Sequence, residues 1–524
     1  MAIRARLTAP REVREDWPWH EAETLSLPLS AMITGDRRME AENFLSPGFA
    51  VRHGITAKHS GWTHLSEIAK VWQPSRLKGI QVSSDYGTPF LAATQVFDKL
   101  PVPRKWLSLQ RTSDYAERYV NEGVILVTCS GTVGRATVAD SSISGTLISH
   151  DLLRVEALDQ ANRGWIYGYL RSPTIRAVMT SAQYGHMIKH LETGHLDALP
   201  IVFPPSPSEA QEANNDFDSV VAARNRAKSL VSQAEQLLLE IAGVNDVPLD
   251  GGESGFSTSA QSLFVGRRRF DASRHAPAVE AIELRLTRSS VRMESLRSAG
   301  CEIWLPNRFK RIPAEDGVEL VDSSSIFEIN PDFRRRISAS GVADRNDGKV
   351  ENNWILMSRS GQTYGLLGSV VLATSQLNGK IITDDVIRVI SGDSIHPGYL
   401  HLLLSHSTLG RPRVKSLAYG SSIPHIEVED LYEFMIPRLQ GDQEKMLGDL
   451  IVGAFAAWSE ADQLEIDLAE RADRAIRHFI RVGKSMAIFT TSNVPISSLI
   501  EDIDMGKIGL PELQRPFVWP NVNV

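Results

Sequence analysis

Only two cysteines, Cys129 and Cys301, occur in the 524 residues. Two thiols cannot build a zinc cluster or a disulfide framework, so the expected setting is a reducing cytoplasm. No apolar run approaches the roughly 20 residues that a membrane span needs. The opening stretch Met1–Arg6 lacks the apolar core of a secretory signal. An excess of positive charge is missing too. The formal net charge is −7, which argues against binding nucleic acid through an overall basic field and leaves only local patches for that task. Signatures of catalysis are absent as well: no Walker A loop, no His-Glu-X-X-His and no Gly-X-Ser-X-Gly. The string Asn330-Pro331-Asp332-Phe333 comes nearest to the Asn/Asp-Pro-Pro-Tyr/Phe motif that holds a flipped adenine, but Asp332 stands where the second proline belongs. His186 and His190 are spaced as zinc ligands on a helix can be, yet no third ligand accompanies them. No catalytic residue, metal or cofactor is therefore expected on this chain.

What is present is an ordinary globular composition, 42% hydrophobic and 23% charged, on a chain long enough for several units. Basic clusters stand at Arg267-Arg268-Arg269, Arg308-Phe309-Lys310-Arg311, Arg334-Arg335-Arg336 and Arg411-Pro412-Arg413-Val414-Lys415. Such runs are commonly solvated surface. Acidic residues concentrate at 442–473, in what reads as a long helix.

The chain also repeats itself. Arg37-Arg38-Met39-Glu40-Ala41 echoes Arg269-Phe270-Asp271-Ala272, and Val71–Lys78 echoes Ile303–Lys310 around a shared tryptophan and proline. Gln95-Val96-Phe97 echoes Ser325-Ile326-Phe327. The turn Ser130-Gly131-Thr132-Val133-Gly134 echoes Ser360-Gly361-Gln362-Thr363-Tyr364-Gly365. Ser149–Arg154 matches Thr383–Arg388, Gly168-Tyr169-Leu170 matches Gly398-Tyr399-Leu400, and Tyr184-Gly185 matches Tyr419-Gly420. Leu199-Pro200-Ile201 matches Met435-Ile436-Pro437. An ordered series at an offset of roughly 230 residues is far too long for a solenoid and means two copies of a whole unit.

Each copy opens with short apolar runs such as Gly123–Thr128 and Trp354–Ser358, which read as strands between glycine and serine turns. Helical stretches follow at Trp165–Ser181 and Gly398–Ser407, then proline-marked exits and long helices. The first long helix is expected from about Ser208, with Ser208 as N-cap and Gln211 as capping-box partner, to Ala242, with Gly243 as its stop. Its stripe Phe217, Val220, Ala227, Val231, Ala234, Leu238 and Ile241 steps by three and four, interrupted by Arg224. The second is expected from about Asp442 to Val482, with Leu447, Ile451, Ala454, Trp458, Ala461, Leu464, Leu468, Ala475 and Phe479 as its stripe. The fold expected is α+β: two tandem mixed recognition domains at 21–205 and 263–439, each followed by a long helix at 206–243 and 440–484, with the helices pairing as an antiparallel coiled coil. Residues 1–20 form an arm, 244–262 a linker and 485–524 a tail.

Over about residues 20–483 the chain resembles the specificity subunits of Type I restriction–modification systems. The resemblance lies in the Ser130–Gly134 turn, the Tyr184-Gly185 pair with Leu191 after it, the Leu199–Pro205 exit and the helix after each copy. Glu209-Ala210-Gln211 stands where that family usually shows Glu-Gln, and the second copy has Pro437-Arg438-Leu439 in place of the Pro-Pro exit. The resemblance implies that each domain reads one half of a split, asymmetric DNA site. It also implies that the coiled coil docks two modification subunits that carry S-adenosylmethionine and methylate adenine at N6, and that a translocase–nuclease subunit can join them. Candidate contacts to double-stranded DNA are Arg76, Lys78, Ser130, Thr132, Tyr184, His186 and Lys189 in the first copy. In the second they are Arg308, Lys310, Arg311, Ser360, Gln362, Tyr364, Tyr419 and Ser421. Residues that differ between the copies are the better candidates for specificity, since matching turn residues often only hold the fold.

The tail departs from this pattern. Pro511–Trp519, with Gln514-Arg515, resembles the start of the ParB-like domain of GmrSD-type nucleases, cut off at Val524. Two alternatives follow: the targeting part of a nucleotide-dependent defence nuclease, and a scaffold that binds protein but not DNA.

Overall fold

The computed structural model describes residues 44–481, apart from 45, 77–78, 112–114, 183–189, 245–254, 265–268, 290, 332, 334, 342–347 and 421. The tail with its ParB-like resemblance lies outside the described residues.

Runs of aliphatic and β-branched residues between glycine and serine turns form short strands, because such side chains pack well on a pleated, buried surface. In chain order the first half carries α1 (Pro47–Thr56), β1 (Trp62–His64), β2 (Ala69–Trp72), β3 (Gln81–Val82), β4 (Thr88–Leu91), β5 (Lys105–Leu107), β6 (Ile125–Thr128), β7 (Ala136–Val138), β8 (Leu147–Ile148), β9 (Leu152–Ala157), α2 (Arg163–Arg171), α3 (Pro173–Ala182), α4 (Thr193–Asp197), β10 (Pro200–Val202) and the long α5 (Pro207–Ala242). The second half carries α6 (Ala260–Leu263), α7 (Pro277–Arg288), β11 (Arg292–Ser295), β12 (Glu302–Trp304), β13 (Pro313–Val321), β14 (Arg335–Ile337), β15 (Ile355–Ser358), β16 (Val370–Leu372), β17 (Ile381–Ile382), β18 (Val386–Ile390), α8 (Pro397–Ser405), α9 (Arg411–Ser416), α10 (Val428–Tyr432), β19 (Met435–Arg438) and the long α11 (Gly441–Arg481).

Strand order repeats between the halves. The sheet β2-β9-β6-β7 is matched by β12-β18-β15-β16, and the antiparallel pair β1–β10 by β11–β19. In the third sheet β4 pairs β5 antiparallel and β8 parallel, as β13 does with β14 and β17. β13 pairs β14 on both sides of a register break between Pro313 and Val318, so one long strand covers what β3 and β4 do separately. The helical stretch expected over Trp165–Ser181 is two helices. Pro173 has no backbone N–H to continue α2 and opens α3 instead.

A buried arginine welds two sheets together in each half. Arg154 on β9 is fully buried and donates to Ser149 O at 2.9 Å, to Ile148 O at 3.0 Å and to Leu152 O. Arg388 on β18 repeats the set, donating to Thr383 O at 3.1 Å, to Ile382 O at 2.8 Å and to Val386 O. Burial pushes both guanidiniums down to about 10, still charged at neutral pH. Carbonyls that converge this way inside the protein need the donor, because each left unpaired costs about 1–3 kcal/mol. Arg388→Met is therefore expected to lower stability by about 3 kcal/mol or more, read as the unfolding midpoint in urea. A loss under about 1 kcal/mol would show that the carbonyls find other donors.

The long helices start and stop as capping chemistry dictates. Ser206, not Ser208, caps α5: its Oγ accepts from Glu209 N at 3.2 Å, and Pro207 takes the first helical position. Gly243 ends the helix at φ 65°. At roughly 1.5 Å per residue, α5 and α11 are rods of about 54 and 62 Å. They pack against each other in opposite senses. Arg471 pairs Glu212 and Asp216, Arg224 pairs Glu465, Arg226 pairs Glu460, and Leu230 lies over Gly453. The N-terminal half of α5 and the C-terminal half of α11 share one core with the first half of the chain; their other ends share a second core with the second half and with part of the first, Phe97 and Leu126 among it. Glycines allow close approach: a Cβ at Gly168 on α2 would meet Leu468 O at 2.8 Å, and one at Gly398 on α8 would meet Gly448 O at 2.2 Å. Among the described residues no helix is long and apolar enough to cross a membrane.

Candidate nucleic-acid interface

The two halves meet about a local two-fold relation. Lys99 N donates to Phe327 O at 2.9 Å, and Ile329 N donates to Phe97 O at 2.7 Å. Shifting the numbering by one repeat turns the first bond into the second, so the repeated Gln95–Phe97 and Ser325–Phe327 segments pair with each other. An isologous contact of this kind is the signature of a two-fold assembly, here within one chain.

Below this contact lies a buried ionic network. Glu465 on α11 is fully buried and accepts from Arg224 of α5 at 2.6 Å, from Asn330 Nδ2 at 3.1 Å and from the Tyr167 hydroxyl; Arg171 stands 3.6 Å away. The guanidiniums of Arg171 and Arg224 outweigh burial and hold Glu465 below the usual carboxylate range. Asp462 accepts from Asn330 N at 2.7 Å, and burial pushes it up to about 6. Arg224, which interrupts the apolar stripe in sequence, is thus a buried partner and not a solvated break. Asn330, with φ 42°, serves the same network, so the asparagine that opens the Asn-Pro-Asp-Phe string has a structural task. Several of the acidic residues at 442–473, Glu444, Asp462, Glu465 and Asp473, are buried rather than solvated.

The two-fold relation breaks at its flanks. Arg135 pairs Glu328 at 2.8 Å and lies 3.9 Å over the Phe97 ring. The matching position is Ser369, after Gly368 as Arg135 follows Gly134, and both glycines have positive φ. Asp98, opposite Glu328, is pushed up to about 7 by burial and by Glu328. A carboxyl whose folded value is raised contributes stability that is present below its unfolded value near 4 and is lost as pH rises through about 7. Asp98→Asn is accordingly expected to raise the melting temperature at pH 8, with a gain that shrinks as pH falls from 7 toward 4. A pH-independent effect would contradict the burial cause.

Several of the described candidate residues stand on or beside two matching turns, one in each half. The turn after β6 and the turn after β15 are each tied to a returning loop. Leu191 N donates to Cys129 O at 2.9 Å in the first half, and Ile426 N to Arg359 O at 3.0 Å in the second. The repeated serines take part in these ties: Ser130 Oγ bonds His190 Nδ1 at 3.1 Å, and Ser360 Oγ donates to Asp385 at 2.8 Å. Tyr419 is half-buried, with Arg269 5.3 Å over its ring and His425 packed at 4.7 Å. Arg311 pairs with Asp384. These four hold the edge together in the free protein.

The residues that differ between the halves project from it. Thr132 is exposed on the first turn, and Gln362 and Tyr364 on the second, Tyr364 at 69%. Gln362 reaches Ser422 O at 3.3 Å. Arg76, Arg308 and Lys310 are exposed beside their strands. Lys78, Tyr184, His186, Lys189 and Ser421 lie outside the described residues. Ile423, 64% exposed on the loop that Gln362 touches, was not singled out in the sequence because an isolated aliphatic in a loop carries no signal. The Arg411–Lys415 cluster is split: Arg413 is buried and donates to Met435 O at 2.6 Å, while Arg411 and Lys415 stand apart from it. Among the described residues no group of three or more His, Cys, Asp or Glu is placed to hold a metal. What such an edge can do chemically is donate and accept hydrogen bonds and offer an exposed ring and methyls, the contacts used against base edges.

No family model matches the chain, and no curated protein does. Solved structures that it is similar to include a Type-I restriction–modification system S subunit from M. genitalium, at 12% identity and a TM-score of 0.28 over 80% of this chain and 96% of that one. The HsdS subunit from Thermoanaerobacter tengcongensis aligns at 13% identity and a TM-score of 0.22 over 85% of this chain and 96% of that one. The type IIG restriction endonuclease BpuSI aligns at 13% identity and a TM-score of 0.26 over 36% of this chain and 29% of that one. Superpositions this loose fix neither fold nor function.

Proposed function

We propose that this chain is the DNA-recognition subunit of a Type I restriction–modification system. Residues 21–205 and 263–439 act as two recognition domains, each reading one half of an asymmetric, split site. The paired long helices act as an antiparallel coiled coil that spaces the domains and docks two methyltransferase subunits. Those partners bind S-adenosylmethionine and methylate adenine N6, a translocase–nuclease can join them, and this chain does no chemistry itself. Its place is the cytoplasm.

The observation that carries this reading is the two-fold exchange between Phe97–Lys99 and Phe327–Ile329. It makes one chain imitate a symmetric dimer, the geometry by which proteins address two half-sites on a duplex. Unequal turns, with Thr132 on one side and Gln362 and Tyr364 on the other, let the half-sites differ. The test is titration of duplex DNA against the chain, alone and with its methyltransferase partners, at several salt concentrations. Phosphate contacts release counterions, so log K is expected to fall linearly with log salt. Negligible affinity for any duplex with the partners present would favour a protein-only scaffold.

A further inference from the structure

Three cations gather where the two halves meet. Arg104 lies in the first half, between β4 and β5; Arg411 and Lys415 stand four residues apart on α9 in the second. Neither Arg104 nor Arg411 has a carboxylate within 4.0 Å among the described residues. Lys415 donates to Thr363 O, inside the exposed second turn. The three repel one another: burial and then the two arginines push Lys415 down to about 8, and burial and then Arg104 lower Arg411. Asp98, the nearby carboxyl, is itself raised toward neutrality.

Geometry gives two of the three a shared cleft. Arg104 and Arg411 line a cleft together with Asp98, Ser369 and Trp458. Across the two-fold relation Arg135 closes the matching place with its own ion pair to Glu328. Here Ser369 replaces it, and its Oγ is buried with no partner. Three positive charges thus collect beside a single carboxyl, Asp98, on a platform bonded directly to the second turn.

We propose that Arg104, Arg411 and Lys415 form a phosphodiester-binding cluster that grips the DNA backbone between the two half-sites. This rests on the DNA-recognition reading above. Each half contributes to the cluster, so the contact forms only when a duplex crosses the junction. A backbone contact positions the duplex and carries no sequence information.

The test measures affinity of the full chain, with its partners, for its preferred duplex and for an unrelated one, from about 50 to 200 mM salt. Arg104→Gln and Lys415→Gln are each expected to weaken both duplexes by the same factor, about 3- to 10-fold, and to reduce the salt slope by about 1. The double variant should lose about 2 from the slope and keep the sequence preference. Melting temperature without DNA should hold or rise, since repulsion is relieved. An unchanged slope in the double variant, or a loss confined to the preferred duplex, overturns the cluster while leaving DNA recognition intact. A fall in melting temperature that accompanies the loss of binding assigns these residues to folding and overturns it too. If the unaltered chain binds no duplex, the parent reading fails and this inference falls with it.

Discussion

Replacing Glu465 with alanine will lower the stability of the chain by about 3–5 kcal/mol, because it strands two buried guanidiniums, Arg171 and Arg224, without their carboxylate. Loss of a buried ion's partner costs far more than loss of the pair, since the remaining charge keeps its full desolvation penalty. For a protein of this size the shift in melting temperature is about 3–5 °C. Glu465 also receives Tyr167 from the first half and Asn330 from the second, so both halves should loosen from the rods together. Removing a charge of each sign in Arg224→Met with Glu465→Met should recover part of the loss, because an apolar pair of similar volume spares the desolvation. A single variant that melts within about 1 °C of the parent would mean that water reaches the network and screens it.

On the proposed DNA-recognition reading, the second large effect concerns the spacing of the half-sites. The halves share a continuous core, since residues of the first half such as Phe97 and Leu126 pack in one cluster with Phe327 and Leu356 of the second. Such a shared core is expected to hold the halves at a fixed separation. An insertion of five base pairs between the half-sites turns one of them by about half a helical turn, onto the far side of the duplex. Affinity should then fall toward the non-specific level, a loss of about 1,000-fold or more. Ten inserted base pairs restore the facing but add about 34 Å, and a rigid junction should reject that duplex as well. If the longer insertion restores binding, the halves are tethered rather than joined, and the shared core does not set the spacing.

Sequence patterning exposed the repeat because duplication leaves many weak echoes that agree in order. The matching strand orders and the paired Arg154 and Arg388 are the physical content of those echoes. The same reading missed what needs distance in space. Arg224 looked like a break in an apolar stripe because its partner Glu465 lies far along the chain on the other rod. Ser208 is the cap expected from sequence, but Pro207 takes the first helical position and leaves Ser206 as the cap. Ser130 and Ser360 stood out as a repeated motif for the reason that makes them structural: both bond within the edge that carries the turns. The cations at the junction were scattered in sequence, and Arg413, between two of them, turned out to face inward.

The most direct test maps N6-methylated adenines in DNA from cells with and without this gene. Two heads fixed on one pair of rods predict a motif in two short, unlike blocks separated by a constant unread gap, and that motif should vanish when the gene is lost. A single uninterrupted motif, a gap of variable length, or a methylation pattern indifferent to the gene would contradict the account.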